Sequence, residues 1–311
     1  MYRMLALAIA DDPELMRLAG RIKHTPVPNM IFASIQFLLM RGEESPLRQF
    51  YPSLVDDPMP LDDVAQPFKE FALEHEERIV ELGSTRYTQT NECKRCIALL
   101  PAIWSTGLDR FHLVDLGASA GLNLALDRYR YRWNEIEWGP DSSVELQARS
   151  RGGRVQPREI EILSRTGLDL NPIDASDPDD RDWLVALIWP EHHERRRRLE
   201  RALELVAEAS FEMISGDANE TLPDVFDRIP AGEPMIVVNS MVLMQLNVSE
   251  RERLYQLLNA EREKRPLHRV SFELLAAGDE WVTLAVDRGS GLIQIGQAHP
   301  HGEWVDLYAR P

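Results

Sequence analysis

Lysine is nearly missing from this sequence: it occurs only as Lys23, Lys69, Lys94 and Lys264, and arginine carries the rest of the positive charge. Lys and Arg together number 35 against 51 Asp and Glu, which leaves a net charge of −16. That balance argues against nucleic acid and against anionic membrane surfaces as partners, because both require positive potential. Long apolar runs are missing as well, and nothing approaches the roughly 20 residues of a membrane-spanning helix. The apolar start, Met1 to Ala10, runs straight into Asp11-Asp12-Pro13 without the cleavage region of a secretory signal. Cysteine occurs twice, as Cys93 and Cys96. Zinc would need about two further ligands, and there is no second pair. A redox C-x-x-C would follow a strand, whereas Asn91 to Leu100 has a helical pattern. The expectation is two reduced thiols on a helix, no metal, and a cytoplasmic protein.

What the sequence does have is length and an ordinary core composition. Its 311 residues suit one large or two modest domains, and 44% are hydrophobic. Up to about residue 108 the pattern is helical and punctuated by proline. Pro13 follows a capping Asp12, Met30 to Met40 is apolar on most faces, and Leu61 to Leu82 suits one or two helices. Short apolar runs then end in small or acidic residues at Asp115, Asp169, Asp217 and Asn239, with helical stretches between most of them. A helix is expected from Gly121 to Asp127, and an inserted hairpin or loop over about 129–159. Near the C-terminus, Trp281 to Asp287 and Leu292 to Gln297 flank Arg288-Gly289-Ser290-Gly291, a hairpin signature. The expected architecture is a helical N-terminal domain, 1–108, and an α/β domain, 109–311. The second has a mainly parallel, Rossmann-like sheet and a C-terminal antiparallel hairpin.

Parallel α/β sheets hold ligands at the C-terminal ends of their strands. The first such end is Val114-Asp115-Leu116-Gly117-Ala118-Ser119-Ala120-Gly121. Its small residues let a ligand approach main-chain N–H groups at a helix start. The dinucleotide pattern G-x-G-x-x-G fails at two of its glycines, where Ser119 and Leu122 stand. This demotes NAD and FAD. The next ends are Gly167-Leu168-Asp169-Leu170-Asn171-Pro172, Ser215-Gly216-Asp217-Ala218 and Val238-Asn239-Ser240.

This series resembles the class I S-adenosylmethionine-dependent methyltransferases. The resemblance covers roughly residues 110–275. It implies a methionine site at Asp115, Gly117, Ala118, Ser119 and Gly121, a ribose acid at Asp169, and adenine contacts at Asp217 and Ala218. Asn239 and Ser240 would border the methyl group. It implies S-adenosylmethionine as cofactor and a small-molecule acceptor. Over nearly the whole chain, Gln89-Thr90-Asn91-Glu92, Gly117 to Asn123, Asp169-Leu170-Asn171-Pro172 and Trp189-Pro190 are similar to an uncharacterised bacterial family, domain of unknown function 2332. That likeness brings relatives without a reaction.

Methyl transfer asks the protein to align a nucleophile and, for an O or N acceptor, to remove a proton. Candidate bases are His299, His301 and Glu273. Gln89, Thr90, Asn91, Glu92 and Asn123 are candidates for the substrate pocket, although Asn91 equally suits an N-cap of the Cys93 helix. Two other readings stay open: a nucleoside-binding protein without methyl transfer, and a serine hydrolase. The hydrolase would use Gly117-Ala118-Ser119-Ala120-Gly121 as G-x-S-x-G, with Asp217 and His299 or His301. Against it, the turn follows the first strand and no oxyanion loop precedes it.

Overall fold

The computed structural model describes residues 1–209, 211–276 and 278–308. In chain order it begins with helices α1 (Tyr2–Asp11), α2 (Pro13–Ala19), α3 (Val27–Met40), α4 (Ala65–Glu74), α5 (Glu76–Thr85) and α6 (Cys96–Thr106). Strand β1 (Arg110–Leu116) is followed by β2 (Arg130–Trp133), β3 (Ile136–Trp138), β4 (Glu145–Gly152) and β5 (Glu161–Asp169). Then come α7 (Pro178–Ala186), α8 (His193–Ala209), β6 (Glu212–Ser215), α9 (Ala218–Arg228), β7 (Met235–Ser240), α10 (Val248–Arg262) and β8 (Leu267–Glu273). Strands β9 (Val282–Asp287), β10 (Leu292–Ala298) and β11 (Trp304–Leu307) complete it. No described helix is long and apolar enough to cross a membrane.

The chain divides into two compact units, 1–91 with 175–200, and 92–174 with 201–311. The boundary expected from the sequence lay at residue 108. Helix α6 packs against β4, β8 and β9 and so belongs with the sheet. Helix α7 packs against α3 and so returns to the helical unit. Gln36, fully buried on α3, holds it there by donating to the carbonyls of Ala186 at 3.1 Å and Ile188 at 2.8 Å. The indole N–H of buried Trp183 donates to the Tyr87 carbonyl at 3.0 Å. The N-terminal segment, expected only to be apolar, forms α1 with Tyr2, Leu5 and Ile9 inward. Asp12 caps α2 as expected, accepting from the N–H groups of Glu14 and Leu15.

Among the described residues of the second unit, eleven strands form one sheet in the order β3-β2-β4-β11-β10-β9-β8-β7-β1-β5-β6. Strands β8, β7, β1, β5 and β6 are mutually parallel. The chain steps from β1 toward β5 and β6, then returns to the other side of β1 at β7. The β1/β7 border is therefore the topological switch point, where open α/β sheets leave a crevice. Strands β9 and β10 form the expected antiparallel hairpin beside β8. A further strand, β11, continues it.

The insertion is not a detached hairpin. Its strands β2, β3 and β4 extend the sheet, with β4 running parallel to β11. The helix expected from Gly121 to Asp127 is a 3-10 turn, Leu122–Ala125. Side chains take three carbonyls of this segment. The hydroxyls of Tyr129 and Tyr131 donate to Leu122 and Leu126, and Arg165 donates to Leu124.

Strand alternation sends successive side chains to opposite faces. Val114, Leu116, Leu168 and Val237 pack with Leu222 and Phe226 of α9 and Leu254 and Leu258 of α10. In register with Leu116, Asn239 shares that face; Asp115, paired with Val238, lies on the other.

Candidate functional site

The acids at the ends of β1, β5 and β6 stand on three adjacent strands, and Asn239 with Ser240 ends β7 on the far side of β1. Asp115 is fully buried one residue before the end of β1. The amide of Asn123 donates to its Oδ2 at 3.2 Å, and the Cys96 thiol lies 3.5 Å from the Asn123 Oδ1. Burial pushes the Asp115 carboxyl up to about 7, against the opposing pull of the Asn123 hydrogen bond. Burial likewise pushes the Cys96 thiol well up, which keeps it protonated and unreactive.

The glycine-rich turn is held from below and from the side. Gly117 takes φ +69, and a Cβ there would stand 2.7 Å from Cγ2 of Val242. Ser119 takes φ +50, a conformation few residues other than glycine adopt. The N–H groups of Gly117 and Ala118 both donate to the Leu168 carbonyl, and that of Gly121 donates to Ala118. The Ser119 N–H donates to Oδ2 of Asp169 at 2.8 Å, whose Oδ1 accepts from Asn171 at 2.8 Å. These main-chain donors, expected to face a ligand, are engaged within the protein. The four-residue 3-10 turn that follows is no anion site either. Asp169 fastens this turn to the end of β5.

Asp217 is the N-cap of α9, its Oδ1 accepting from the Asn219 N–H at 2.7 Å, and Ala218 opens the helix. Asn239 is fully buried and donates to Ser271 Oγ and Glu273 Oε1, both at 2.9 Å. Glu273 Oε1 also accepts from the N–H groups of Val242 at 3.0 Å and Leu243 at 3.2 Å. Burial raises the Glu273 carboxyl, and these three hydrogen bonds oppose the rise. Glu273 thus positions the segment after β7.

His299 and His301 lie in the turn between β10 and β11, not on a strand. The Nδ1 of His299 accepts from the His301 N–H at 3.1 Å. Arg95 joins this turn to β7, since its Nε donates to the Pro300 carbonyl at 3.3 Å and its terminal nitrogen reaches Ser240 Oγ at 3.5 Å. Sequence reasoning gave Arg95 no part. The Lys94 ammonium pairs with Glu303 at 2.8 Å, and Gly302 packs directly on the Lys94 carbonyl.

Glu92, rather than Asn91, caps the 3-10 turn Cys93–Arg95, accepting from the Lys94 N–H at 3.1 Å. Gln89, Thr90 and Asn91 belong to the helical unit, where Thr90 is exposed and Asn91 buried. The hydrolase arrangement meets an obstacle in the sheet itself. Asp217 follows β6 and His299 follows β10, with β5, β1, β7, β8 and β9 between them. Six steps of about 4.8 Å put an Asp–His hydrogen bond out of reach.

A family described as an uncharacterized protein conserved in bacteria (DUF2332) matches residues 1–307. The chain belongs to this family. The match runs through both units, so the helical unit and the sheet unit are parts of one family pattern. No curated protein matches the chain.

Proposed function

We propose that the protein is an S-adenosylmethionine-dependent methyltransferase acting on a small molecule. The observation that carries this reading is the row of Asp115 on β1, Asp169 on β5 and Asp217 just after β6, at the ends of three neighbouring strands beside the switch point. Two steps of about 4.8 Å separate the outer strands, a span on the scale of a nucleoside. The engaged main-chain donors of the 117–121 turn also support it. A dinucleotide needs those donors for its diphosphate, whereas this cofactor has no phosphate.

On this reading Asp169 accepts from the ribose hydroxyls and Asp217 from the adenine amino group. Gly117, Ala118, Ser119 and Gly121 border the methionine part, and Asp115 supplies negative potential. The cofactor's sulfonium supplies an activated methyl group. The chain's own contribution is to orient the acceptor beside Ser240, on the strand that Asn239 anchors, and to take its proton. His299 and His301 suit that second task better than Glu273, because Arg95 ties their turn to Ser240.

Calorimetric titration with S-adenosylmethionine and S-adenosylhomocysteine tests the reading. Asp217→Asn is the informative variant, since Asn caps a helix as well as Asp. Micromolar-range binding, weakened about tenfold by the substitution, is expected. Folded protein that binds neither compound overturns the proposal.

A further inference from the structure

Among the described residues, eight large hydrophobic side chains of the sheet unit are exposed, and they are unevenly placed. Five of them, Leu170, Met244, Val248, Leu275 and Trp281, follow β5, β7 or β8 or precede β9, and are 44–69% exposed. Strand β9 runs opposite to β8, so its start lies at the same edge as the ends of the parallel strands. The five therefore rim the edge that carries Asp115, Asp169 and Ser240. From β5 to β9 is four strand steps, or about 19 Å. The other three, Leu292, Ile293 and Tyr308, lie at the opposite edge.

Isolated exposed hydrophobics need no explanation, but a row of them along a ligand edge does. The backbone that presents it is held firmly. Met241 takes φ +61, and its N–H donates to the Phe272 carbonyl at 2.9 Å. The next two N–H groups go to the buried carboxylate of Glu273. Strain and a buried acid thus fix the segment that displays Met244 and Val248, as at sites where conformation matters for function. At the same edge stand buried polar groups: the Ser240 hydroxyl, Arg95 at 3.5 Å from it, and Asp115 on the same face of the sheet. An apolar rim over a few polar groups is the usual make-up of a small-molecule site.

We infer that the acceptor of this site is amphiphilic, with an apolar body covering Leu170, Met244, Val248, Leu275 and Trp281 and a polar reacting head directed at Ser240. Its role as acceptor rests on the methyltransferase reading; the apolar site does not.

The test is a calorimetric series of straight-chain 1-alkanols, butanol to octanol, with and without saturating S-adenosylhomocysteine. Affinity is expected to rise about three- to fourfold per added methylene. The pair Met244→Gln, Val248→Thr should flatten that rise, and Leu292→Gln, at the opposite edge, should leave it unchanged. All three side chains are exposed, so the variants fold. A flat series, or a rise that survives the Met244–Val248 pair or is lost in Leu292→Gln, overturns the inference. A normal rise in protein that does not bind S-adenosylhomocysteine retains the apolar site and overturns only the cofactor reading.

Discussion

Asp169 Oδ2 accepts the backbone N–H of Ser119 at 2.8 Å, so the acid that ends β5 also holds the turn that ends β1. Its other oxygen accepts the N–H of Asn171. Asp169→Ala removes the acceptor of both hydrogen bonds. The expected cost is about 2 kcal/mol in urea unfolding, with Asp169→Asn losing roughly half as much because one acceptor remains. Loss of ligand binding in Asp169→Ala alone therefore confounds turn collapse with lost contact.

Asp115 gives stability a definite pH dependence. Its carboxyl titrates near 7 in the folded chain and near 3.8 when unfolded. Between those values the unfolded chain has released the proton and the folded chain retains it, so stability falls as pH rises from about 4 to 7 and then levels. The loss is on the order of a few kcal/mol. Asp115→Asn, measured by urea unfolding at pH 5 and pH 8, should remove this slope. In the wild type a cationic ligand should bind more tightly at pH 8 than at pH 6, because the carboxylate is then ionised.

Gly117 faces two separate obstacles to a side chain. Its φ of +69 strains any L-residue, and a Cβ would collide with Val242. Gly117→Ala should destabilise the sheet unit by roughly 2 kcal/mol or more. Adding Val242→Ala should recover only part of the steric cost, because the Val242 Cβ itself stands 2.9 Å from the added Cβ, and about 1 kcal/mol of backbone strain stays in full. Thermal unfolding of the single and double variants checks this, and full recovery would show that strain has no share.

Gln36 joins α3 to the end of α7 from inside the helical unit. Gln36→Leu leaves the carbonyls of Ala186 and Ile188 without their donor inside a buried site. A loss of about 2–3 kcal/mol is expected. Hydrogen exchange should localise it to residues 175–188, and uniform loosening of both units would contradict the assignment.

The strands and helices of the parallel region were legible because each apolar run ends in a small or acidic residue. The 239–240 strand end and the 281–297 hairpin were readable from local pattern alone. Local pattern failed where a distant side chain decides. Nothing near Gly121 announces that Tyr129, Tyr131 and Arg165 will take three carbonyls of the segment that follows it. The return of α7 to the helical unit depends on Gln36, about 150 positions earlier, which no periodicity connects to it. Asp115 and Asp169 stood out by position, but Asp169's grip on Ser119 is a matter of register. Arg95 was hidden because its partners, Ser240 and Pro300, are remote in sequence.

The junction of β4 with β11 joins residues more than 150 positions apart, as in the pairing of Ser150 with Val305. Strands β2, β3 and β4 leave the ribosome long before the strand that links them to the rest of the sheet. Until the last residues emerge, β4 has one open edge, paired only with β2 on its other side. Open edges of this kind template wrong pairings, and long sequence separations slow correct ones. A chain truncated before Trp304 would therefore present that edge permanently, and self-association is its natural fate.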